Sequence, residues 1–252
     1  MTDHLQTLVQ AAIAEVKERR NTELPDPPDA PRPFVKTLLE KRGSLIAEVK
    51  RKSPSRGAIN PALDPAQLAQ AYERGGAACL SVLTERANFG GSLDDLRAAR
   101  AATRLPVLRK DFIVSMFQVM EARAHGADAI LLIAAAAQAA LLEQLRELAR
   151  ELGMAVLLEV HEEAELETAA LCQPDLLGIN ARDLKTLEVH PETFARLAPL
   201  ARQIAPLVAE SGVKTAEDVR RYRAAGASAL LVGEALSAAP DPESAARALV
   251  EA

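Results

Sequence analysis

Tryptophan is absent from the chain, tyrosine occurs twice and phenylalanine five times, so aromatic residues make up only 3% of the 252 positions. Any phenylalanine beside a candidate site therefore stands out. Cysteine is nearly as scarce: Cys79 and Cys172 lie far apart, without CxxC or zinc spacing. That excludes a disulfide scaffold and reads as two buried thiols in a reducing compartment. Four histidines, His4, His125, His161 and His190, show no metal-ligand spacing, so no metal centre is expected. Positive charge is not in excess either. Thirty Lys and Arg against 35 Asp and Glu give a net charge of -5, which argues against a general nucleic-acid surface. A phosphate pocket is still compatible, because it needs only a few oriented donors. Long apolar runs are missing too. The longest, from Ala127 to Leu142, is broken by Asp128 and Gln138 and falls well short of a membrane span. The N-terminal stretch MTDHLQTLVQAAIAEVKERR is interrupted by acidic residues and has no small-residue cleavage site, so it does not read as a secretion signal. A cytoplasmic chain with no membrane or nucleic-acid partner is expected.

What the sequence does have is a repeated unit. Short apolar runs fit for buried strands begin near Leu45, Cys79, Pro106, Ala129, Ala155, Leu176, Leu207 and Ala229. Between successive starts there is room for a strand, a helix and two loops. GGAACLSV, HGADAILL, LGMAVLLE and AGASALLV each place a glycine at a helix end just before a strand. Helix starts are marked by Asp64-Pro65 and by capping boxes predicted at Ser115/Gln118 and Thr215/Asp218. Alternating strands and helices imply right-handed crossovers and a parallel sheet. Eight such units, with no GxGxxG after the first strand, favour a closed (β/α)8 TIM barrel over a dinucleotide-binding sheet. The barrel would span residues 45–252. Residues 1–44 would form an N-terminal helical extension within one domain. It comprises a helix over 2–20 with Leu5, Leu8, Val9, Ala12 and Ile13 on one stripe, a proline-rich link from Leu24 to Phe34, and a short helix over 35–42 closed by Gly43.

Side chains alternate along a strand, so every second residue faces the barrel interior. The inward sets are then Ile46, Glu48 and Lys50; Leu108, Lys110 and Phe112; Leu157 and Glu159; Gly178, Asn180 and Arg182; Val208 and Glu210. Each runs from apolar to polar toward the carboxyl end. Glu48, Lys50, Lys110, Glu159, Asn180, Arg182 and Glu210 thus collect at one rim, the catalytic face of such a barrel. Buried ion pairs are weak stabilisers, so six charges on five strands at the same end call for a functional reason. Phosphate binding is the second theme. Ser53-Pro54-Ser55-Arg56-Gly57 follows the first strand, Ser211-Gly212 the seventh and Gly233-Glu234 the eighth, where barrels commonly hold phosphate on loop amides. A carboxylate beside a phosphate would repel it, so Glu234 would serve through its amide with its side chain turned away. Phe89 and Phe112 lie beside the rim and could wall a flat substrate.

EVKRKSPSRG (48–57), VLTERANFGGS (82–92), LRKDFIV (108–114), LLEVH (157–161), GINARDLKTLEV (178–189), AESGV (209–213) and VGEAL (232–236) resemble the successive signatures of the indole-3-glycerol phosphate synthase family. The resemblance runs in order from about Leu45 to the C-terminus, on seven of eight strand ends. It departs from the family's usual pattern at Lys52, at Ser115–Phe117 and at Ala181. It implies a phosphorylated small-molecule substrate, 1-(2-carboxyphenylamino)-1-deoxyribulose 5-phosphate, converted without cofactor by ring closure, decarboxylation and dehydration in tryptophan biosynthesis. By this resemblance Lys110 is the general acid, Lys50 holds the departing carboxylate, and Glu159 and Glu48 share the acid–base work of dehydration. Asn180, Arg182, Glu210 and Ser211 orient the substrate, while Ser53, Gly212, Gly233 and Glu234 grip its phosphate. Crowding by Lys50 is expected to lower the Lys110 pKa. Two other readings stand beside this one: a phosphate-binding isomerase or epimerase barrel, and a catalytically silent barrel that only binds a phosphorylated ligand. The first would call for a Cys/Asp pair or inward histidines at the rim, the second for loss of Lys110 or Glu159.

Overall fold

The computed structural model describes residues 4–252. Its centre is eight parallel strands: β1 (Leu45–Val49), β2 (Cys79–Leu83), β3 (Val107–Lys110), β4 (Ala129–Ile133), β5 (Ala155–Val160), β6 (Leu176–Asn180), β7 (Leu207–Glu210) and β8 (Ala229–Val232). Each pairs with its neighbour in sequence and β8 closes onto β1, giving the expected (β/α)8 barrel. Seven strands begin at the predicted residue. The third begins at Val107, not Pro106, because proline has no N–H for the ladder; its carbonyl still accepts from the Leu80 amide. Several helices start where short polar side chains cap them. Asp64 accepts from the Ala66 and Gln67 amides ahead of Pro65–Arg74, and Thr215 with Asp218 closes a full capping box. At Ser115 only half the predicted box forms. Ser115 Oγ accepts from the Gln118 amide, but Gln118 Oε1 turns back to the Val114 amide, one residue short of its expected partner.

Strand parity and register stack the barrel interior in layers from alternate strands. The odd strands contribute Ile46, Leu108, Leu157 and Val208, all buried in one apolar cluster. Two residues further along the same strands stand Glu48, Lys110, Glu159 and Glu210. Register fixes the interleaving: Asn180 lies opposite Glu210, Ile133 opposite Glu159 and Leu83 opposite Lys110. One layer of a greasy barrel has in effect been exchanged for an ionic one.

The N-terminal residues serve both ends of this barrel. The first helix, α1, runs His4–Arg19, and the predicted positions 2 and 3 lie outside the described residues. Its buried stripe is Leu5, Leu8, Ala12 and Val16, with Val9 and Ile13 only partly covered. Leu8 lines the same recess as Phe89, Phe112 and Ile133, at the rim where the charges collect. Residues 24–33 form no regular structure and are riveted to the outside of the barrel. Arg32 donates to the carbonyls of Thr103 and Leu105, and Arg100 pairs with both Asp29 and the fully buried Asp128. The second helix, α2 (Phe34–Glu40), starts one residue earlier and ends two earlier than predicted, with Gly43 at φ +85° beyond its end. Phe34 and Leu38 plug the opposite mouth, where Cys79 Sγ touches the Phe34 carbonyl. No described helix is long and apolar enough to cross a membrane.

Candidate active site

A cavity of about 430 Å³ opens at the carboxyl ends of the strands. Glu48, Lys50, Lys110, Asn180, Arg182 and Glu210 all line it. An adjoining apolar recess is walled by Leu8, Leu83, Phe89, Phe112, Leu131 and Leu184, with Glu159 at its base. The rings of Phe89 and Phe112 are 6.4 Å apart, and Lys50 Nζ sits 5.6 Å above Phe89. Glu85 fixes that wall by accepting from the amides of Asn88 and Phe89.

The ionic layer is organised around Lys110. Its Nζ lies 3.4 Å from Glu159 and 3.7 Å from Glu210, while Lys50 pairs with Glu48 at 3.2 Å. The expected crowding of Lys110 by Lys50 is therefore overturned: the near neighbours of Lys110 are carboxylates. Burial would pull its pKa down, but Glu159 and Glu210 outweigh burial and hold it above the ordinary lysine value. The two carboxylates diverge. Burial works against ionisation of Glu159, yet Lys110 and His161 together keep it well below the carboxylate range. Burial and the nearby Glu159 charge push Glu210 well above that range, with Lys110 offsetting only part. One carboxylate is thus kept as a base and its neighbour as an acid, a division that marks functional sites more often than structural ion pairs.

Two glycines make room for this layer. A Cβ on Gly178 would stand 2.1 Å from Glu210 Oε1, and one on Gly233 2.2 Å from Glu48 Oε1. We expect Gly178→Ala to drive the Glu210 carboxyl out of place and lower kcat by roughly 10²-fold without unfolding the barrel. Steady-state kinetics beside a circular dichroism melt checks this, and an active, equally stable variant would contradict it.

At the other end of the cavity the loop after β7 carries Ser211 at φ +66° and Gly212 at φ +78°. A serine there is uncommon, and the turn aims Ser211 Oγ at Asn180 Oδ1, 2.8 Å away. Arg182 donates to the Leu187 carbonyl, and its amide also reaches Asn180 Oδ1. The Glu234 carboxylate is neutralised by Arg56 at 2.8 Å, with Arg182 at 4.0 Å. Ser53 Oγ accepts from the Arg56 amide, holding the turn after β1. Lys52 reaches across to the Ala87 carbonyl and tethers that turn to the Phe89 loop, while Ala181 is buried.

With this geometry in place, comparison with known proteins decides the family. The sequence profile of the family described as indole-3-glycerol phosphate synthase matches residues 3–249. The chain belongs to the indole-3-glycerol phosphate synthase family. A curated member from Nocardioides sp. is 52% identical over 95% of this chain and 87% of its own length. Another, from Mycolicibacterium vanbaalenii, is 52% identical over 96% of this chain and 88% of its own. Among solved structures, 3-hexulose-6-phosphate synthase from Salmonella typhimurium superposes with a TM-score of 0.65 at 14% identity, covering 82% of this chain and 96% of that one. It shares the fold alone.

All fourteen residues singled out from sequence lie around these two adjoining cavities. Sequence reasoning missed others. His161 reads as one of four scattered histidines, yet its Nε2 lies 3.0 Å from Glu159 Oε1. The parity that found Glu159 would have found it, since it stands two residues further along the same face. Lys214 and Arg221 also line the main cavity, and no spacing in the sequence signals either. Neither cysteine lines these cavities. Burial pushes both thiols up, Cys79 beneath α2 and Cys172 in the helix Leu166–Cys172 outside the barrel.

Proposed function

We propose that this chain converts 1-(2-carboxyphenylamino)-1-deoxyribulose 5-phosphate to indole-3-glycerol phosphate, CO2 and water, as a cytoplasmic enzyme of tryptophan biosynthesis. The observation that carries this reading is the layer of Glu48, Lys110, Glu159 and Glu210 set between an apolar wall and a run of loop amides. The substrate has three matching parts. Its flat ring fits against Phe89 and Phe112, and its phosphate suits the amides of Gly212, Gly233 and Glu234 with the hydroxyls of Ser53 and Ser211. Between them lie the ketone and the ring carboxylate.

In this reading the ring carbon that bears the carboxylate bonds to the ketone carbon while Lys110 gives its proton to the ketone oxygen. Lys110 keeps that proton in the resting site and surrenders it only to the far more basic alkoxide that develops on attack. The bond to the carboxylate, held by Lys50, then breaks, CO2 leaves and the electron pair restores the aromatic ring. Finally the new hydroxyl departs as water while a carbon-bound proton is removed. Glu159, kept ionised, is suited to take that proton, and Glu48 shares the acid–base work. Asn180, Arg182, Glu210 and Ser211 orient the chain of the substrate. The aromatic amine supplies the electrons, so no cofactor enters the scheme. An isomerase using a Cys/Asp pair fits less well, because neither cysteine lies at the rim.

The absence of tryptophan makes the test direct, since an indole product fluoresces above a low background. Purified protein mixed with the carboxyphenylamino sugar phosphate in EDTA is expected to show a rising indole signal. A flat trace with tight binding would instead favour the silent, ligand-binding barrel.

A further inference from the structure

Glu159 is 1% exposed and stands at the base of the apolar recess, where an ionised carboxylate needs partners. On the substrate side that partner is Lys110. On the other side stands His161, which takes no part in the reaction scheme above. Its Nε2 is 3.0 Å from Glu159 Oε1, lying off the axis of a formed hydrogen bond, and its Nδ1 is 3.6 Å from Glu165 Oε2. Glu165 belongs to the turn Glu163–Glu165 just after β5 and is locked in place by accepting from the His161 amide at 2.7 Å. A carboxylate, an imidazole and a second carboxylate are thus in line. The arrangement leads from the reaction layer to a side cavity of about 280 Å³ behind it.

We propose that His161 is a positioning residue for this reaction: its imidazolium keeps Glu159 ionised and fixes that carboxylate's orientation, and Glu165 fixes the ring in turn. This rests on the reading of Glu159 as the base of the dehydration step. The logic is that of a base oriented by a third group, with His161 acting through Glu159 and touching no substrate atom itself. Apo geometry slightly off the hydrogen-bond axis is usual for such pairs, which tighten when substrate is bound.

The charges facing the ring support the imidazolium. Glu159 comes from its own strand, Glu165 from the following turn, and Asp183 from the segment after β6, where it feels the His161 charge. Lys110 stands beyond Glu159, and Lys185 and His190 line the far side of the same cavity. Burial disfavours the charged ring, but the two glutamates outweigh it and push His161 up to about 10. The ring therefore stays protonated across the neutral range, and Glu159 always has a cation on each side. Removing the imidazolium takes one of them away. The Glu159 carboxyl then ionises at higher pH, and the acid limb of the rate profile must follow it upward.

Two measurements test this. The first is kcat and KM from pH 4 to 10 for the wild type, His161→Asn, His161→Gln and Glu165→Gln, each with a thermal melt. Both His161 variants are expected to lose roughly tenfold to 10²-fold in kcat with KM little changed. In the wild type no acid limb from Glu159 should appear in this window, because that carboxyl ionises below it; in both variants one should enter from the acid side. Glu165→Gln should move kcat and the acid limb in the same direction by less. A folded His161 variant that shows no new acid limb in the window overturns the proposal, even if its kcat falls, because that pattern belongs to a merely structural role. The second is a nitrogen NMR titration of the His161 ring, which needs no turnover. Titration above pH 9 in the wild type, falling toward the ordinary histidine range in Glu159→Gln, supports the clamp; an ordinary value in the wild type overturns it. An inactive wild type with a high-titrating His161 would sink the proposed reaction but not the clamp, so the two failures are separable.

Discussion

Replacing Lys110 by Met is expected to lower kcat by roughly 10²–10⁴-fold, the usual worth of a positioned general acid, while phosphate-dependent substrate binding persists. Methionine keeps the length and apolar stem of the side chain and deletes the ammonium. What disappears is the ammonium that lies within 4 Å of both Glu159 and Glu210. The proposed phosphate end of the cavity is built from other residues, Gly212, Gly233 and Arg182 among them, and should still hold the substrate. The loss should therefore fall on kcat and leave KM within a small factor, the signature of an interaction made in the transition state. Stopped-flow indole fluorescence with an independent binding isotherm checks both halves. Retention of more than about a tenth of the rate would contradict the general-acid role.

The protonation of this lysine is also where sequence and structure part company. Parity along a strand tells which residues face inward, and it placed Glu48, Lys110, Glu159 and Glu210 correctly because each follows a buried aliphatic residue by two. Glycine-then-strand joints fixed strand starts for a similar local reason, since a helix end and a strand start are both set by a few adjacent residues. Neighbour distances across the barrel are not local. Lys50 and Lys110 look close among the rim residues, but Lys50 stands two residues beyond the ionic layer and pairs with Glu48, whereas Lys110 shares that layer with Glu159 on β5 and Glu210 on β7. The sign of the Lys110 shift follows from that topology and is not legible without it. The N-terminal segment is a second case. An amphipathic stripe shows that Leu5, Leu8 and Ala12 are buried but not against what. Only the fold reveals that α1 completes the recess beside Phe112 while α2 closes the opposite mouth.

The largest effect on stability is expected from Arg109→Met, one residue from Lys110 but on the outward face of β3. Arg109 is fully buried and is the hub of a polar network. It reaches Asp111 at 2.9 Å, Glu121 at 3.0 Å, Thr84 Oγ1 at 3.1 Å and the Gln118 carbonyl at 2.9 Å. Glu121 in turn takes Arg19 of α1 at 2.9 Å, so the network joins the reaction strand to the N-terminal helix. Methionine fits the apolar space but leaves the buried Asp111 without its ion-pair partner and Glu121 with Arg19 alone, a loss of about 3–5 kcal/mol when one partner of such a pair is removed. In a chain of this size that is a drop of roughly 6–20 °C in Tm. The penalty comes from the unpaired Asp111 charge more than from the missing arginine. Adding Asp111→Asn and Glu121→Gln should therefore return part of the stability, although the new carboxamide must still accept from the Phe112 amide that Asp111 now caps. A single variant that melts within about 2 °C of the wild type, less than 1 kcal/mol at this size, would show that water or rearrangement satisfies those carboxylates. Arg109 would then be an ordinary packed side chain and not the strut that holds Lys110 in register with α1.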